Sequence, residues 1–329
     1  MNFTRVAVAL SLIAVWDCSL AAGADTEQLR QRQFRLSYAV TITDLAPARR
    51  VKVWIPVPPN SPQQRVHVVA QKLPGPAQQT RELKYGNGVL HVEAVADAAG
   101  RVELTIVYEV SRGEARGARH SMVNVDPQAE LFLQADARVP IDGKPVTLLA
   151  GKILPMDQLR LGRTLYDVVN GHMRYSKEGT GWGLGDAVWA CESRYGNCSD
   201  FHSLFISLAR SQGVPAKFEI GFPLPPERGR GEIAGYHCWA WFKPSGYDWT
   251  PVDISEANKN PQLREYYFGN LSENRVTFSV GRDLVLIPPQ AGPPLNFFVT
   301  PYVEDSGQPH PPENVQLKLT YEDIHATRP

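Results

Sequence analysis

Gly196-Asn-Cys-Ser-Asp-Phe-His-Ser-Leu-Phe-Ile-Ser-Leu-Ala-Arg-Ser-Gln-Gly-Val-Pro215 decides how the chain is read. Phe201, Leu204, Phe205 and Leu208 fall at i, i+3, i+4 and i+7, an apolar stripe that predicts a helix over Cys198–Ser211. Gly213 and Pro215 stop it, and the Gly196-Asn197 turn starts it. Cys198 therefore stands at a helix N-terminus, where unpaired N–H groups and the positive end of the dipole favour a thiolate.

A nucleophilic thiolate also needs a base. His237 lies on an alternating run, Tyr236-His-Cys-Trp-Ala-Trp-Phe242, which predicts a strand that can present the imidazole to the helix start. A third group must fix the ring tautomer and stabilise its charged form. Asp253 closes the next strand, Trp249-Thr-Pro-Val-Asp253, and is placed to do so.

These residues together resemble the transglutaminase-like superfamily. The motifs are Gly196–Phe205, Ala209–Lys217, His237-Cys-Trp239 and Trp249–Asp253, in that order, and the resemblance runs from about Tyr166 to Pro288. The longer run from Gly179-Thr-Gly-Trp182 to Gly281-Arg-Asp-Leu284 also resembles exported bacterial members with an N-terminal β domain. The resemblance implies Cys198 as nucleophile, His237 as general base and Asp253 as orienting carboxylate. It further implies an α+β architecture: an N-terminal β-sandwich, then a transglutaminase-like (papain-like) helix-plus-antiparallel-sheet domain. Animal transglutaminases use a tryptophan upstream of the cysteine at the oxyanion. Trp182 is the candidate for that place, with Tyr175 also upstream and neither at a matching spacing. Trp239 is the candidate to line the substrate groove, and Tyr236 and Trp249 are further aromatics that line it or pack as core.

Upstream, Phe34–Ile42, Val51–Ile55, Val66–Val69, Val89–Val95 and Val102–Val110 alternate apolar with polar residues between turn-forming stretches. Short strands at such spacing predict a β-sandwich. The expected division is a signal peptide over 1–24, a sandwich domain over 25–120 and a catalytic domain over 121–329 that includes the C-terminal strands. Residues 113–130 read as a charged linker. Within the catalytic domain a further helix is expected at Leu161–Met173. Strands are expected at Lys217–Gly221, Val276–Val280, Leu284–Ile287, Phe297–Val303 and Val315–Tyr321.

At the N-terminus, Arg5 precedes an apolar run from Val6 to Trp16, too short for the ~20 residues of a membrane span. Ala22-Gly23-Ala24 fits an A-x-A cleavage site, so export to the periplasm or outside the cell is expected, with Asp25 first in the mature chain. Cys18 follows Val-Trp-Asp, unlike a usual lipobox. Lysine plus arginine equals aspartate plus glutamate, 34 against 34, which gives no electrostatic reason to expect nucleic acid as a partner.

Rival uses of the same residues follow from their chemistry. His202, four residues after Cys198 on the same helical face, is an alternative base. Asp200 reads as a first-turn carboxylate and Glu256 as a loop or cap residue. Cys191, Cys198, His202, His237 and Cys238 are five metal-capable donors, but no C-x2-C or H-x3-H spacing joins them. Alternation puts His237 and Cys238 on opposite strand faces, and a Cys191–Cys238 disulfide would leave Cys198 free. No Gly-rich phosphate loop and no acidic calcium loop implies a cofactor. The expected activity is thiol-dependent acyl transfer on a carboxamide or peptide bond of a protein or peptide. Hydrolysis is favoured over cross-linking. The alternative is a catalytically silent binding module that keeps the fold.

Overall fold

The computed structural model describes residues 29–118, 120 and 126–324, so the expected signal peptide and its cleavage site lie outside the described residues. Six strands come first: β1 (Gln31–Ile42), β2 (Arg50–Val57), β3 (Gln64–Lys72), β4 (Ala77–Arg81), β5 (Gly88–Val95) and β6 (Val102–Gly113). The short β7 (Ala115–Arg116) leads to α1 (Gln158–His172), β8 (Arg174–Tyr175), α2 (Ala187–Ser193), β9 (Tyr195–Gly196) and α3 (Cys198–Ser211). Next come β10 (Ala216–Pro223), β11 (Arg230–Glu232), β12 (His237–Phe242), β13 (Thr250–Val252), α4 (Ile254–Lys259), β14 (Asn270–Leu271) and β15 (Arg275–Val280). The chain closes with β16 (Tyr302–Asp305), β17 (Gln308–Pro309) and β18 (Val315–Asp323).

Two five-stranded sheets form the sandwich, ordered β11-β18-β1-β6-β3 and β17-β16-β2-β5-β4. Their inner faces carry the apolar half of each alternation: Phe34, Leu36, Tyr38, Val40 and Ile42 from β1, Val51, Val53 and Ile55 from β2, and Leu104, Ile106, Tyr108 and Val110 from β6, all buried. The sequence-based strands are present here, with β4, a polar run of Ala-Gln-Gln-Thr-Arg, added at an edge. A third sheet, β13-β12-β10-β15, is antiparallel throughout and backs α3.

The closing strands differ from the sequence-based division. They were grouped with the catalytic domain, but β18 pairs with β1 along nine residues and β16 pairs with β2. Both ends of the described chain thus meet in the sandwich. Arg32 and Asp323 lock that meeting: Nε reaches Oδ1 at 2.7 Å and Nη2 reaches Oδ2 at 2.9 Å, with both side chains buried. Arg32 also donates to the Pro225 carbonyl and to Asn274 Oδ1, so one guanidinium ties the first strand, the last strand and the loop after β10. Leu284–Ile287 makes only an isolated bridge from Leu284 to Leu295, not a strand, and Phe297–Val303 is extended only from Tyr302. The supposed linker carries β7, which pairs with β14.

Helix α3 occupies the centre of the second region, and 13 of its 14 residues, Cys198 to Arg210, are buried. Phe201, Leu204, Phe205 and Leu208 are each buried without exposure, worth about 1.5–3 kcal/mol apiece as transfer from water. Helix α1 approaches so closely that a Cβ on Gly162 would lie 2.2 Å from the Phe242 ring. Arg210 anchors the helix end, bonding Asp136 at 2.7 Å and the Ala216 carbonyl at 2.9 Å.

Removing one partner of a buried ion pair strands the other charge. Arg32→Ala is therefore expected to lower the urea-unfolding free energy by about 3–5 kcal/mol. The Arg32→Met, Asp323→Leu double variant should recover most of that loss. Equal destabilisation by the single and double variants would show that the pair is not what joins the chain ends.

Candidate active site

The start of α3 is built by its own side chains. Asn197 caps it, accepting the Ser199 N–H at 2.8 Å, and Asp200 completes the capping box by accepting the Asn197 N–H at 2.9 Å. Asp200 also accepts the N–H groups of Gly183 and Gly185, at 2.8 and 2.9 Å. It therefore fastens the loop before α2 to the turn that leads into Cys198. Gly196 must lack a side chain here, since a Cβ would come within 2.4 Å of Asp200 Oδ2. Cys198 is the first helical residue, so its N–H has no acceptor inside the helix.

His237 opens β12, and its Nε2 lies 2.8 Å from Asp253 Oδ2. With Nε2 turned to Asp253, Nδ1 is the ring nitrogen left for a second partner. Asp253 has no exposed surface and is the N-cap of α4. Its Oδ1 accepts from Ser255 Oγ and from the Glu256 N–H, each at 3.1 Å, while Arg275 Nη1 donates to Oδ2 at 3.1 Å. Cys198, His237 and Asp253 are all buried, with His237 bonded to Asp253 and the Cys198 sulfur near enough to the ring for each to shift the other's titration.

The charges are mutually dependent. Burial alone would raise the Asp253 carboxyl, but the charge and hydrogen bond of His237, with Arg275 and His202 behind them, hold it well below the carboxylate range. Burial likewise disfavours an imidazolium at His237, yet Asp253 and the Cys198 sulfur outweigh it and raise the ring to about 10. The Cys198 thiol lies well below an ordinary cysteine. A hydrogen bond from Cys238 contributes most, burial opposes, and the hydrogen bond and charge of His237 add to the lowering.

His202 is also fully buried, but its Nε2 accepts the Ile254 N–H at 3.0 Å, and burial pushes the ring down to about 4. It is a neutral ring held by the backbone. Cys238 turns to α3, reaching Ser199 Oγ and His202 Nδ1, while His237 lies beside Trp239, two residues along the strand. Cys191 is buried elsewhere, with Sγ 3.7 Å from the Lys144 carbonyl, and Cys191, Cys198 and Cys238 are all free thiols. Among the described residues, no group of three or more His, Cys, Asp or Glu side chains is arranged to hold a metal ion.

The expected groove aromatics separate. Trp239 has no exposed surface. Its indole N–H donates to Glu219 Oε2 at 2.8 Å and Arg275 stacks on its ring, so it packs behind the site rather than lining a groove. Trp249 donates to Asp126 at 2.8 Å and clusters with Trp239 and Trp241 on that same side. Trp182 is half-buried, and its indole N–H goes to the Gly179 carbonyl at 3.1 Å. Tyr236 alone of the set touches the helix cap, accepting from Asn197 Nδ2 at 3.3 Å. Arg275 went unnoticed in the sequence because an arginine opening a strand carries no motif; only the fold brings it to Asp253.

Residues 149–254, which hold all three of these groups, match the transglutaminase-like superfamily. They form a transglutaminase-like core. A protein of Haemophilus influenzae with no assigned function is 26% identical over 306 residues, covering 79% of this chain and 82% of its own. The crystal structure of a proposed cysteine protease from Cytophaga hutchinsonii superposes with a TM-score of 0.57 at 14% identity, over 92% of this chain and 95% of that one. That likeness extends the shared fold beyond the core to the sandwich. Among the described residues, no helix is long and apolar enough to cross a membrane.

The raised His237 ring makes stability pH-dependent. A group whose pKa is higher folded than unfolded contributes fully below its unfolded value of ~6.5 and loses the contribution as pH rises through about 10. The depressed Asp253 carboxyl contributes above its unfolded value of ~3.9. His237→Gln is expected to destabilise most between about pH 4 and 6.5, with the deficit shrinking towards pH 10. Denaturant titrations across that range check it, and a deficit that does not vary with pH would contradict the charged pair.

Proposed function

We propose that this chain is an exported thiol enzyme of the transglutaminase-like kind that transfers the acyl group of a carboxamide or peptide bond, with water as the favoured acceptor. The observation that carries the reading is a buried His237 bonded to the Asp253 carboxylate, with a buried Cys198 as the first residue of α3. The role assigned to each residue follows from its surroundings. Cys198, as thiolate, attacks the carbonyl carbon. His237 delivers its proton to the departing amine, and the sulfur remains acylated as a thioester. Water then enters, His237 takes its proton, and collapse of the second tetrahedral intermediate returns the Cys198 thiolate and a free acid. Asp253 keeps Nε2–H directed at itself and so leaves Nδ1 for the sulfur and the substrate.

The Cys198 N–H, without an acceptor in the helix, is a natural donor to the developing oxyanion. Trp182 remains a candidate for the second donor only if its indole leaves the Gly179 carbonyl. The sandwich is assigned a supporting or orienting role. Export to the periplasm or beyond rests on the signal-like residues 1–24.

The test is the rate of iodoacetamide labelling of Cys198, mapped by mass spectrometry, against pH. Wild type is expected to label rapidly well below ~8.5, where a free cysteine titrates. His237→Ala and Asp253→Asn should move the profile upward. An ordinary thiol profile in the wild type would remove the triad and leave a binding module. With a glutamine peptide, acid and ammonia release marks hydrolysis, whereas incorporation of an added amine would reassign the enzyme as a transferase.

A further inference from the structure

Arg32 of β1 and Arg112 of β6 are register partners across the sandwich sheet, and each has only 2% of its surface exposed. Both sit in the inward row of their strand, where Phe34 and Leu36 follow one and Tyr108 and Val110 precede the other. Their partners differ. Arg32 turns the Nε and Nη2 edge of its guanidinium onto the two oxygens of Asp323. The same edge of Arg112 has no hydrogen-bond partner among the described residues. Only its Nη1 is engaged, by the neutral acceptors Gln64 Oε1 and Thr277 Oγ1, each at 3.4 Å.

Arg112 lines a cavity of about 600 Å³ between the sandwich and the β13-β12-β10-β15 sheet. Phe242 of β12 packs on Phe205 of α3, so its neighbour Trp241 faces the other way, into this cavity, beside its cross-strand partner Lys217. The buried Trp241 indole N–H is also without a partner among the described residues. Burial pushes the Arg112 guanidinium down to about 10, with Glu219 opposing, so the group keeps its charge at neutral pH. Glu219 is itself committed: Oε1 to Lys217 at 3.3 Å, and Oε2 to the Trp239 indole N–H at 2.8 Å. The buried groups left over in this cavity are therefore all donors, and burying donors without acceptors is costly.

The free edge selects the guest. Two parallel N–H bonds from Nε and Nη2 match the two oxygens of a planar carboxylate, as Asp323 shows on Arg32. The Glu219 and Asp248 carboxylates in the lining repel a second negative charge, which disfavours a phosphate group at roughly −1.5 to −2. Trp241, Trp249 and Pro62 supply apolar wall. We propose that the cavity binds a small organic carboxylate with an apolar body, held through both oxygens by Nε and Nη2 of Arg112. Lys217 Nζ, 5.3 and 4.8 Å from the ring centroids of Trp241 and Trp249, adds positive potential beside it. The inference does not depend on Cys198 being a nucleophile.

The probe is benzoate, titrated at constant ionic strength while two-dimensional proton–nitrogen spectra follow the tryptophan indoles. The Trp241 peak, assigned by its loss in Trp241→Phe, should shift saturably, and the Trp182 peak should stay in place. Benzamide has the same shape without the charge and should give no saturable shift; phenyl phosphate should bind more weakly than benzoate. Arg112→Lys keeps the charge but loses the fork, and should weaken benzoate about tenfold. A Trp241 peak that ignores benzoate, or that benzamide moves equally, overturns the proposal. So does undiminished affinity in Arg112→Lys, or a preference for phenyl phosphate. If Arg112→Lys does not fold, the comparison of benzoate with benzamide on the wild type decides.

Discussion

A carboxylate with no exposed surface cannot stay ionised unless its surroundings replace water, and Asp253 is such a group. Its two oxygens take five contacts from four directions: His237 and Arg275 on Oδ2, the Ser255 hydroxyl and Glu256 N–H on Oδ1, with His202 3.8 Å away. Together the contacts recruit four elements. His237 brings β12, Arg275 brings β15, and the last two make Asp253 the cap of α4. The three strands carrying or flanking these groups belong to one sheet, β13-β12-β10-β15, with β10 between β12 and β15. The sheet and the charge are therefore a single construction problem, and misplacing any one strand would leave a buried ion short of a partner.

Asp200 solves the corresponding problem at the other end of the site. It too is fully buried, but it is satisfied by backbone N–H groups rather than by cations: those of Asn197, Gly183 and Gly185. The difference shows in their titration. Burial raises the Asp200 carboxyl despite those three bonds, whereas ion pairing lowers Asp253. One carboxylate sets geometry and the other sets charge. The capping role that a first-turn acid predicts for Asp200 is present, but its second task, pinning the Gly-rich loop, needs a loop 15–17 residues upstream to fold back.

That contrast marks what the sequence could reveal. Helix α3 was legible to the residue because its apolar period, its Asn197 cap and its Gly213 stop all agree. The sandwich strands were legible for the same reason, through alternation between turn signals. The destination of β18 was not, since a strand's period says which face it buries and nothing about its neighbour. Cys198, His237 and Asp253 were identifiable from ordered motifs; Arg275 was not, its contact with Asp253 being purely tertiary.

Asp253 and Ile254 are adjacent, and each addresses a histidine on a different element. The Asp253 side chain holds His237 of β12, while the Ile254 N–H holds His202 of α3. His202 is also within 3.6 Å of Cys238 Sγ. The first is charged because a carboxylate faces it; the second is neutral because an amide N–H faces it. Two identical side chains thus carry opposite protonation states within one turn of helix and one strand end. Burial disfavours the charge on both rings, and the carboxylate at Nε2 overcomes it for His237 alone. A single dipeptide at the end of β13 therefore fixes the charge of the base and the tautomer of its neighbour together.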